Sequence, residues 1–471
     1  MKILFKNLMN IISFKGKGNR GLVLVNVLVF AVIGITVTSA LITWGSTILK
    51  TSKRLTSKEQ ALQIAEAGID YYRWHLAHNQ TDYKDGNATT TNGPFIHDFN
   101  DKDGNVIGNY ALTITPPPTG STVVKIKSKG TVNDGTGLSR TIQVTLAIPS
   151  LAKYAVAAND IMRFGSGTEV FGPIHSNNGI RFDGLAHNLI TSSKDKYIDP
   201  DNGSAYRFGV YTTVGTDDPS PPSAVPNRPD VFMAGRTFPI QTFDFTGLTT
   251  DLSQMKTLAQ ANGKYLASSG VQGYHIKLKT NDTYDVYKVN TLVSMGSKCT
   301  DSQSQPNWGS WSINTETLVG NYPNPANGII FVEDHVWVDG QINTARITIA
   351  AGRFPDNVST RRSITINNNL LYTNYDGSDV ISLIAQDNIN TGLRSADTLR
   401  IDAALVAQNG RAGRYYYLNN GSGGQSCQGY DIRNTLTLYG MIATNQRYGF
   451  AYTDGTGYQT RNIIYDSNLL Y

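Results

Sequence analysis

Two groups of acidic and histidine side chains are the residues whose types could support acid–base or metal chemistry. The members, close together in sequence within each group, are His175, Asp183 and His187, then Glu333, Asp334, His335 and Asp339. Paired carboxylates can act as acid and base on a glycan, and an Asp/His cluster can ligate a metal. The sequence has no HExxH, GxSxG or CxxC motif and no phosphate-binding glycine loop. We therefore expect a solvated strand face for the second group and a structural role for His175, with no catalytic residue, metal or cofactor.

A third group, Asp101, Asp103 and Asn105, alternates as the oxygen ligands of calcium loops do. An EF-type loop needs a glycine at its sixth position and a late bidentate glutamate, and this stretch has neither. Asp103 followed by Gly104 instead favours a β-hairpin turn with a positive φ.

The length and composition of the chain limit the kinds of fold that could position these residues. The chain has 471 residues, a net charge of +5, 40% hydrophobic and 16% charged residues, so it can bury at least two cores. The basic residues that precede the first apolar run are Lys2, Lys6, Lys15, Lys17 and Arg20. No acidic residue precedes Glu59, so this cluster is a membrane-topology signal and gives no support to nucleic-acid binding.

The apolar run from Leu22 to Trp44 has roughly the 20 residues that a helix needs to cross a bilayer. The basic residues before it predict a cytoplasmic amino terminus and an extracytoplasmic bulk, held by one span in the cytoplasmic membrane. A secretory signal peptide is the alternative, but the run is longer than a typical h-region of about 7–15 residues.

A helical pattern continues beyond the apolar run. The residues that form one apolar stripe at intervals of three, four or seven are Leu55, Leu62, Ala65, Ile69, Tyr72 and Leu76. Thr56 and Glu59 could form a capping box that begins a separate helix. Because no proline interrupts residues 22–79, we expect one continuous rod instead, on the order of 85 Å long.

A basic leader that ends in glycine, followed by an apolar helix that becomes amphipathic, resembles the class III signal of type IV pilins and type II secretion pseudopilins. The resemblance implies that a prepilin peptidase cuts after Gly21 and leaves Leu22 as the new amino terminus. The stretch "QALQIAEAGIDYYRWHL" resembles the helix end of PilX-type minor pilins, whose pattern is similar to "AxQAAEAGL". Implied partners are other pilin subunits, the peptidase, and membrane lipid before assembly.

Asn26 occupies the fifth position after Gly21, where pilins of this kind carry a glutamate that neutralises a neighbouring amino terminus. An unpaired charge in the apolar filament core would cost several kcal/mol. Asn26 has no charge, and GspK-type tip pseudopilins resemble this chain in lacking the glutamate and in having an oversized globular part. We therefore expect a tip or initiating subunit, the alternative being an ordinary single-pass anchor that tolerates an asparagine.

The remainder predicts a mainly β fold behind the long helix. We divide the chain into a leader (1–21), a pilin-like helix (22–80), a small antiparallel sheet region (81–150) and a large extracellular domain (151–471). Short strand-like runs recur every 11 to 20 residues from Val336 onward, a spacing that predicts a parallel β-solenoid, with a β-sandwich as the alternative. The amides expected at tight corners in the left-handed region are Asn367, Asn368, Asn369 and Asn388.

Two further features bear on the exported part. Cys299 and Cys427 could form one disulfide in an oxidising compartment, or could be unrelated thiols. Tyr415, Tyr416 and Tyr417 could bind a host or surface glycan or protein, or could pack against the solenoid.

We expect a non-enzymatic minor pilin-like subunit at a pilus tip, presenting a β-rich domain for adhesion. The alternative is a membrane-anchored glycan-binding protein or polysaccharide-degrading enzyme.

Overall fold

The computed structural model describes residues 20–79, 81–87, 93–117, 123–146, 151–243, 245, 247–419 and 427–470. The chain divides into two compact units, Met1–Ile148 and Pro149–Tyr471, which we call the first and second units. The predicted leader lies outside the described residues up to position 19.

The first unit begins with one uninterrupted helix, α1 (Arg20–His78), of 59 residues and about 90 Å at 1.5 Å per residue. The prediction of one rod, rather than a new helix capped by Thr56, is confirmed. Polar residues within the apolar half do not break the helix because their hydroxyls bond to its own carbonyls. Thr38 donates to the carbonyl of Gly34 at 2.7 Å, and Thr47 donates to that of Thr43 at 2.8 Å.

A four-stranded antiparallel sheet packs against the second half of α1. Its strands, in spatial order, are β1 (Phe95–Asn100), β2 (Val106–Thr115), β3 (Val124–Val132) and β4 (Ser139–Leu146). Side chains of β3 alternate between buried and exposed, as expected for a sheet with one face on a core. The sequence predicts a polar loop over residues 81–98, followed by three alternating runs broken by turn residues. Those runs are β2, β3 and β4, whereas β1 lies partly in the predicted loop and was missed.

The predicted hairpin turn joins β1 to β2. Asp101 accepts hydrogen bonds from the backbone amides of Asp103 and Asn105, both at 2.9 Å, and Gly104 has φ +87°. The carboxylate of Asp101 therefore stabilises the turn itself, as expected for a hairpin rather than an EF-type calcium loop.

The buried stripe of α1 differs in part from the predicted one. Ala61 and Ile64 are fully buried against the sheet although the predicted stripe omitted them, whereas Leu55 is 59% exposed. The sheet begins to cover the helix only near Ser57, whose hydroxyl donates to Asp134 in the β3–β4 turn at 2.5 Å. Apolar spacing alone could not indicate where that coverage begins.

Small residues let α1 approach the sheet closely. A Cβ on Gly68 of the helix would collide with the Ser128 hydroxyl and the Tyr110 ring. A Cβ on Gly130 of β3 would collide with the backbone of Ala61 and Ala65. Gly68, the glycine of the "AEAG" stretch, therefore allows the helix backbone to pack closely on the sheet.

The second unit is a stack of short, mostly parallel strands with one long helix, α2 (Gly247–Asn262). The strands of its first half are β5 (Val156–Ala158), β6 (Met162–Phe164), β7 (Thr168–Phe171), β8 (Ile174–Ser176), β9 (Ile180–Phe182), β10 (Leu185–Ala186), β11 (Ile190–Ser192), β12 (Lys196–Ile198), β13 (Tyr206–Phe208), β14 (Val210–Tyr211), β15 (Arg236–Thr237), β16 (Lys264–Leu266), β17 (Gly273–Leu278), β18 (Thr283–Leu292) and β19 (Cys299–Thr300). Those of its second half are β20 (Ile313–Pro323), β21 (Ile329–Val332), β22 (Val336–Gln341), β23 (Arg346–Ala351), β24 (Ile364–Thr365), β25 (Leu370–Leu371), β26 (Val380–Ala385), β27 (Ile389–Thr391), β28 (Thr398–Ala407), β29 (Ala412–Arg414), β30 (Leu418–Asn419), β31 (Ile432–Thr444) and β32 (Gly457–Tyr465). Short 3₁₀ turns lie at Leu151–Lys153, Val358–Thr360, Cys427–Gly429 and Ser467–Leu470.

An aliphatic ladder through the centre of this stack identifies a parallel β-solenoid. The fully buried residues that face one another in successive parallel pairs are Ile330, Ile349, Leu383, Leu405, Ile442, Val156, Ile174 and Ile190. The predicted mainly β fold with a long helix and a parallel solenoid is confirmed, and the sandwich alternative is not adopted. The step from Ile442 to Val156 shows that the first strand of the unit stacks on one of its last.

The corner asparagines differ from the prediction. None of Asn367, Asn368, Asn369 and Asn388 has a positive φ in the described chain. Their side chains reach the next rung instead, where Asn369 accepts from the amide of Arg400 and Asn388 from that of Arg411, both at 2.9 Å. These amides satisfy backbone groups where the ladder turns, so the left-handed geometry is unnecessary.

Replacing Gly68 by alanine tests the helix–sheet contact. We expect Gly68→Ala to lower the stability of the first unit by about 1–3 kcal/mol, because the added methyl has no room. Amide hydrogen exchange of β3, measured on the full chain in detergent, should become correspondingly faster. Gly45→Ala is the matched control, since nothing lies within 4 Å of its Cβ position and alanine favours the helix by about 1 kcal/mol. Equal protection of β3 in both variants would contradict this packing.

Candidate functional site

The apolar half of α1 is the most exposed apolar surface of the described chain. From Val23 to Leu49 its large hydrophobic side chains are between 40% and 72% exposed. By length and composition, the segment Val23–His78 contains a stretch that could cross a membrane. Monomeric soluble proteins rarely expose a contiguous apolar surface of this size, and such surfaces are typical of membrane or protein interaction sites. This half of α1 could therefore be a membrane anchor.

The predicted processing and assembly residues lie at the start of this surface. The backbone of Gly21 and Leu22 belongs to the first turn of α1, and Asn26 is exposed one turn later. No acidic residue occurs in that first turn. Cleavage after Gly21 and the role of Asn26 in a filament stay predictions.

Two histidine–aspartate pairs lie at the carboxyl end of α1. The sequence interpretation missed both of them. The Nε2 atom of His75 lies 2.9 Å from Asp82, and that of His97 lies 2.5 Å from Asp85. Tyr71 donates to Asp85 at 3.1 Å, and burial together with this bond raises the pKa of Tyr71 to about 12. These contacts tie the loop after α1 back to the helix and to β1.

The first predicted group is not one site. His175 is fully buried between the hydroxyl of Thr191 at 3.0 Å and the side-chain oxygen of Asn177 at 3.1 Å, and burial lowers its pKa. This is the hydrogen-bonded structural position expected for it.

The other two members of that group have separate partners. Asp183 binds Arg181 at 2.6 Å and accepts from the backbone amide of Thr213 at 2.8 Å. His187 lies 2.7 Å from Glu169. The three residues are close in sequence because they lie on neighbouring turns of the solenoid, but each has different partners.

The second predicted group is likewise divided among different partners, and it is not the solvated face that we expected. Asp334 is 4% exposed and accepts from the amide and hydroxyl of Ser269 at 2.8 and 2.7 Å. Glu333 pairs with Lys256 and accepts from Tyr265 at 2.6 Å. Burial, with the charge of Arg362 nearby, lowers the pKa of His335 to about 4. The expectation of solvation is wrong because α2 and the 264–269 segment cover Glu333 and Asp334. His335 is contacted instead by Trp311 and Arg362.

Asp339 belongs to an ion-pair cluster that the sequence did not reveal. His275 lies between two carboxylates, with Nδ1 2.8 Å from Glu316 and Nε2 3.2 Å from Asp339. Asn368 donates to the same Asp339 oxygen at 3.0 Å. Burial alone would lower the pKa of His275, but the hydrogen bonds and charges of Asp339 and Glu316 outweigh burial and raise it to about 9. Three strand pairings bring these residues together: β17 with β18 and β18 with β20, both antiparallel, and β17 with β22, which is parallel.

The three consecutive tyrosines are buried. Tyr415, Tyr416 and Tyr417 are 2%, 5% and 1% exposed. The 305–309 segment covers them: Trp308 donates to the carbonyl of Tyr416 at 2.7 Å, and Tyr417 donates to that of Gly309 at 2.9 Å. The prediction of a tyrosine binding surface is therefore wrong for these side chains, because a segment 108 residues away in sequence packs over them.

Cys299 and Cys427 form a disulfide, with a Cα–Cα distance of 4.5 Å across a sequence separation of 128. It lies in the same buried cluster as Tyr415, Tyr417 and Leu393. The disulfide thus fastens the covering segment over the tyrosines. Among the described residues, no group of three or more histidine, cysteine, aspartate or glutamate side chains is arranged to hold a metal ion.

Comparisons with known proteins add one structural likeness. No protein-family model matches the chain, and no curated protein matches it. Among solved structures, the chain is similar to the competence-associated pilin ComZ from Thermus thermophilus. The identity is 13%, the match covers 87% of this chain and 92% of that chain, and the TM-score is 0.26. A likeness at this score carries no argument about fold or function.

The His275 cluster should hold its proton through neutral pH. The pKa of His275 is raised from the usual 6.5 to about 9, so its contribution to stability is complete below pH 6.5 and is lost as pH rises through about 9. Histidine-selective NMR titration of the full chain should give this midpoint. Glu316→Gln, which keeps a hydrogen-bonding group without the charge, should shift the midpoint downward. A midpoint near 6.5 in the unaltered chain would refute the double ion pair.

Removing the disulfide should destabilise the second unit. We expect Cys299→Ser with Cys427→Ser to lower the free energy of unfolding by about 2–5 kcal/mol, because the crosslink restricts the unfolded chain. Urea unfolding followed by tryptophan fluorescence reports on the region, since Trp308 and Trp311 pack against this cluster. Val358→Ala, at a side chain that is 74% exposed, provides the neutral control. An unchanged midpoint in the double serine variant would contradict the role given to the crosslink.

Proposed function

We propose that the chain is a minor, non-enzymatic pilin-like subunit of a type IV pilus or related pseudopilus. One observation carries the proposal: α1 is a single helix whose first half is apolar and exposed and whose second half packs on an antiparallel sheet. That division gives one chain a part that must enter an apolar environment and a part that folds outside it.

The exposed half of α1 has two suitable environments in this proposal. In the cytoplasmic membrane, lipid surrounds it as a single span with the amino terminus in the cytoplasm. In a filament, the corresponding helices of other subunits surround it. Helix formation satisfies its backbone groups in either setting, and the Thr and Ser hydroxyls bond within the helix.

Asn26 supports placement at the tip, in the manner of PilX-type or GspK-type subunits. A shaft subunit must place a carboxylate at this position to neutralise the amino terminus beside it, and an amide supplies no charge. A terminal subunit has no further neighbour to neutralise. The size of the second unit, residues 149–471, agrees with this placement, because bulk is easiest to accommodate where nothing stacks over it.

The second unit would then be displayed at the cell surface for adhesion. A membrane-anchored glycan-binding protein or polysaccharide-degrading enzyme is the second candidate, and the solenoid supports it as a scaffold. We favour a non-enzymatic role because the carboxylates proposed for catalysis each have structural partners: Asp334 with Ser269, Glu333 with Lys256 and Asp339 with His275.

Processing of the amino terminus tests the proposal. In cells with an active prepilin peptidase, mass spectrometry should find Leu22 as the amino terminus, and Gly21→Ala should abolish cleavage. Gly34→Ala is the matched control, because it also replaces a glycine of α1 with open space around its Cβ position and should be cut normally. Membrane-bound chain that retains Met1 in such cells would overturn the proposal.

A further inference from the structure

The second unit contains an open cleft of about 1190 Å³. Of the candidate site residues singled out in the sequence, Asp183, Tyr415 and Tyr416 line it, although they do not form a site by themselves. The volume exceeds the roughly 300–1,000 Å³ of small-molecule pockets, so the cleft can receive an oligomer. It lies between the 305–309 segment, which covers the three tyrosines, and the ends of several solenoid strands. The segments that supply its walls are 163–168, 213–214, 303–307, 387–388, 411–416 and 446–455.

Acidic and basic side chains are nearly balanced in number in the cleft. Five aspartates and four arginines are among its described lining residues. Arg163 donates to Asp201 at 3.2 Å, and Arg447 donates to the same oxygen. Arg461 is 5% exposed and donates to the Thr168 hydroxyl at 2.9 Å and to backbone carbonyls. A polyanion would therefore find little net attraction here, since aspartates outnumber arginines among the described lining residues.

Neutral polar groups remain on the surface of the cleft. Gln303, Asn307 and Gln446 are exposed there, and each presents a planar amide. Each guanidinium carries five N–H donors, and the contacts of Arg163 and Arg447 with Asp201 use one nitrogen each. Asn307 donates one N–H to Asp387 at 3.3 Å and Gln446 donates one to the carbonyl of Asn409 at 3.0 Å, which leaves the second N–H of each amide. Planar amides and guanidinium groups with such remaining donors suit a ligand that carries closely spaced hydroxyls.

The wall that carries these groups is fixed before any ligand arrives. Gln305 accepts from the amide of Tyr416 at 2.7 Å and donates to the hydroxyl of Tyr452 at 2.9 Å. Tyr416 in turn donates to Asp454 at 2.5 Å, and its ring meets that of Tyr452 edge to face with centroids 4.8 Å apart. Binding to such a wall costs little ordering of the protein.

We propose that this cleft binds a neutral oligosaccharide. The ligand's hydroxyls would bond to Gln303, Asn307, Gln446 and the outer N–H groups of Arg447, and one sugar face would lie against Tyr452, which lines the cleft and is half-buried. The proposal names a partner for the displayed unit and rests to that extent on the proposed function. Binding itself requires no filament, so the two can fail separately.

The test is a binding measurement on the full chain in detergent. An array of neutral hexasaccharides (glucan, mannan, galactan and N-acetylglucosamine types) is compared with polygalacturonate, dextran sulfate and neutral peptides, followed by calorimetry with the best neutral hexasaccharide. Gln303→Ala combined with Arg447→Ala should raise Kd at least about tenfold, through lost hydrogen bonds. Arg163 still pairs with Asp201 in this variant, so the fold should persist. Raising NaCl from about 50 to about 500 mM should change Kd less than about twofold, because no ion pair with the ligand is involved.

Gln272→Ala combined with Arg353→Ala is the matched control, because both side chains are exposed and neither lines the cleft. Its Kd should stay within about twofold of that of the unaltered chain. Four results would overturn the proposal: no neutral hexasaccharide bound, binding of the acidic polymers only, binding of peptides only, or equal loss in both double variants. Leu22 at the amino terminus with no glycan bound would reject this inference and leave the filament proposal standing.

Discussion

The apolar first half of α1 has no cover within its own described chain, and this constraint governs how the protein can exist. Large apolar side chains from Val23 to Leu49 are exposed, while one stripe between Ala61 and Tyr72 is buried on the sheet. A soluble monomer would leave the first group in water at a cost of roughly 25 cal/mol for each Å² of apolar surface. This half of α1 could therefore be a membrane anchor or lie among other helices, while the sheet covers only the second half.

The close contact between helix and sheet follows from that division. Gly130 brings the backbone of β3 against that of α1, and Gly68 leaves room for the Ser128 and Tyr110 side chains. The sheet can therefore pack closely on a helix that has only a few buried positions. The second unit has a different kind of core. It is a ladder of aliphatic side chains, to which each successive parallel strand contributes one residue. Because Ile442 pairs with Val156, the first strand of the second unit lies within the stack. It covers backbone groups of β31 that would otherwise form an exposed strand edge.

Sequence reasoning succeeded where structure is local or periodic. The continuous helix followed from an apolar run without proline, and the solenoid followed from short strands at near-regular spacing. The turn at Asp101 to Asn105 was predictable because its bonds span only four residues. Strand β1 was missed because its six residues follow a long polar stretch and contain few apolar positions.

The failures concern contacts between distant segments. His275, Glu316 and Asp339 form a cluster only through strand pairing, so no spacing in the sequence indicated it. The tyrosines at 415–417 have the composition of a binding surface, but Trp308 and Gly309 cover them. The sequence offered both alternatives for these side chains and no means of choosing. For the cleft, the sequence singled out Tyr415 and Tyr416 but gave no indication that Gln305, 111 residues away from Tyr416, bonds to it and completes the wall.

The position of the chain in a filament tests the account most directly. Filaments sheared from cells that carry an epitope-tagged chain would be examined by immunogold electron microscopy, with a tagged shaft subunit as the comparison. The account predicts gold at filament ends, because Asn26 lacks the charge that a repeating subunit needs. Gold spaced evenly along the shaft, or labelled membranes beside unlabelled filaments, would contradict it.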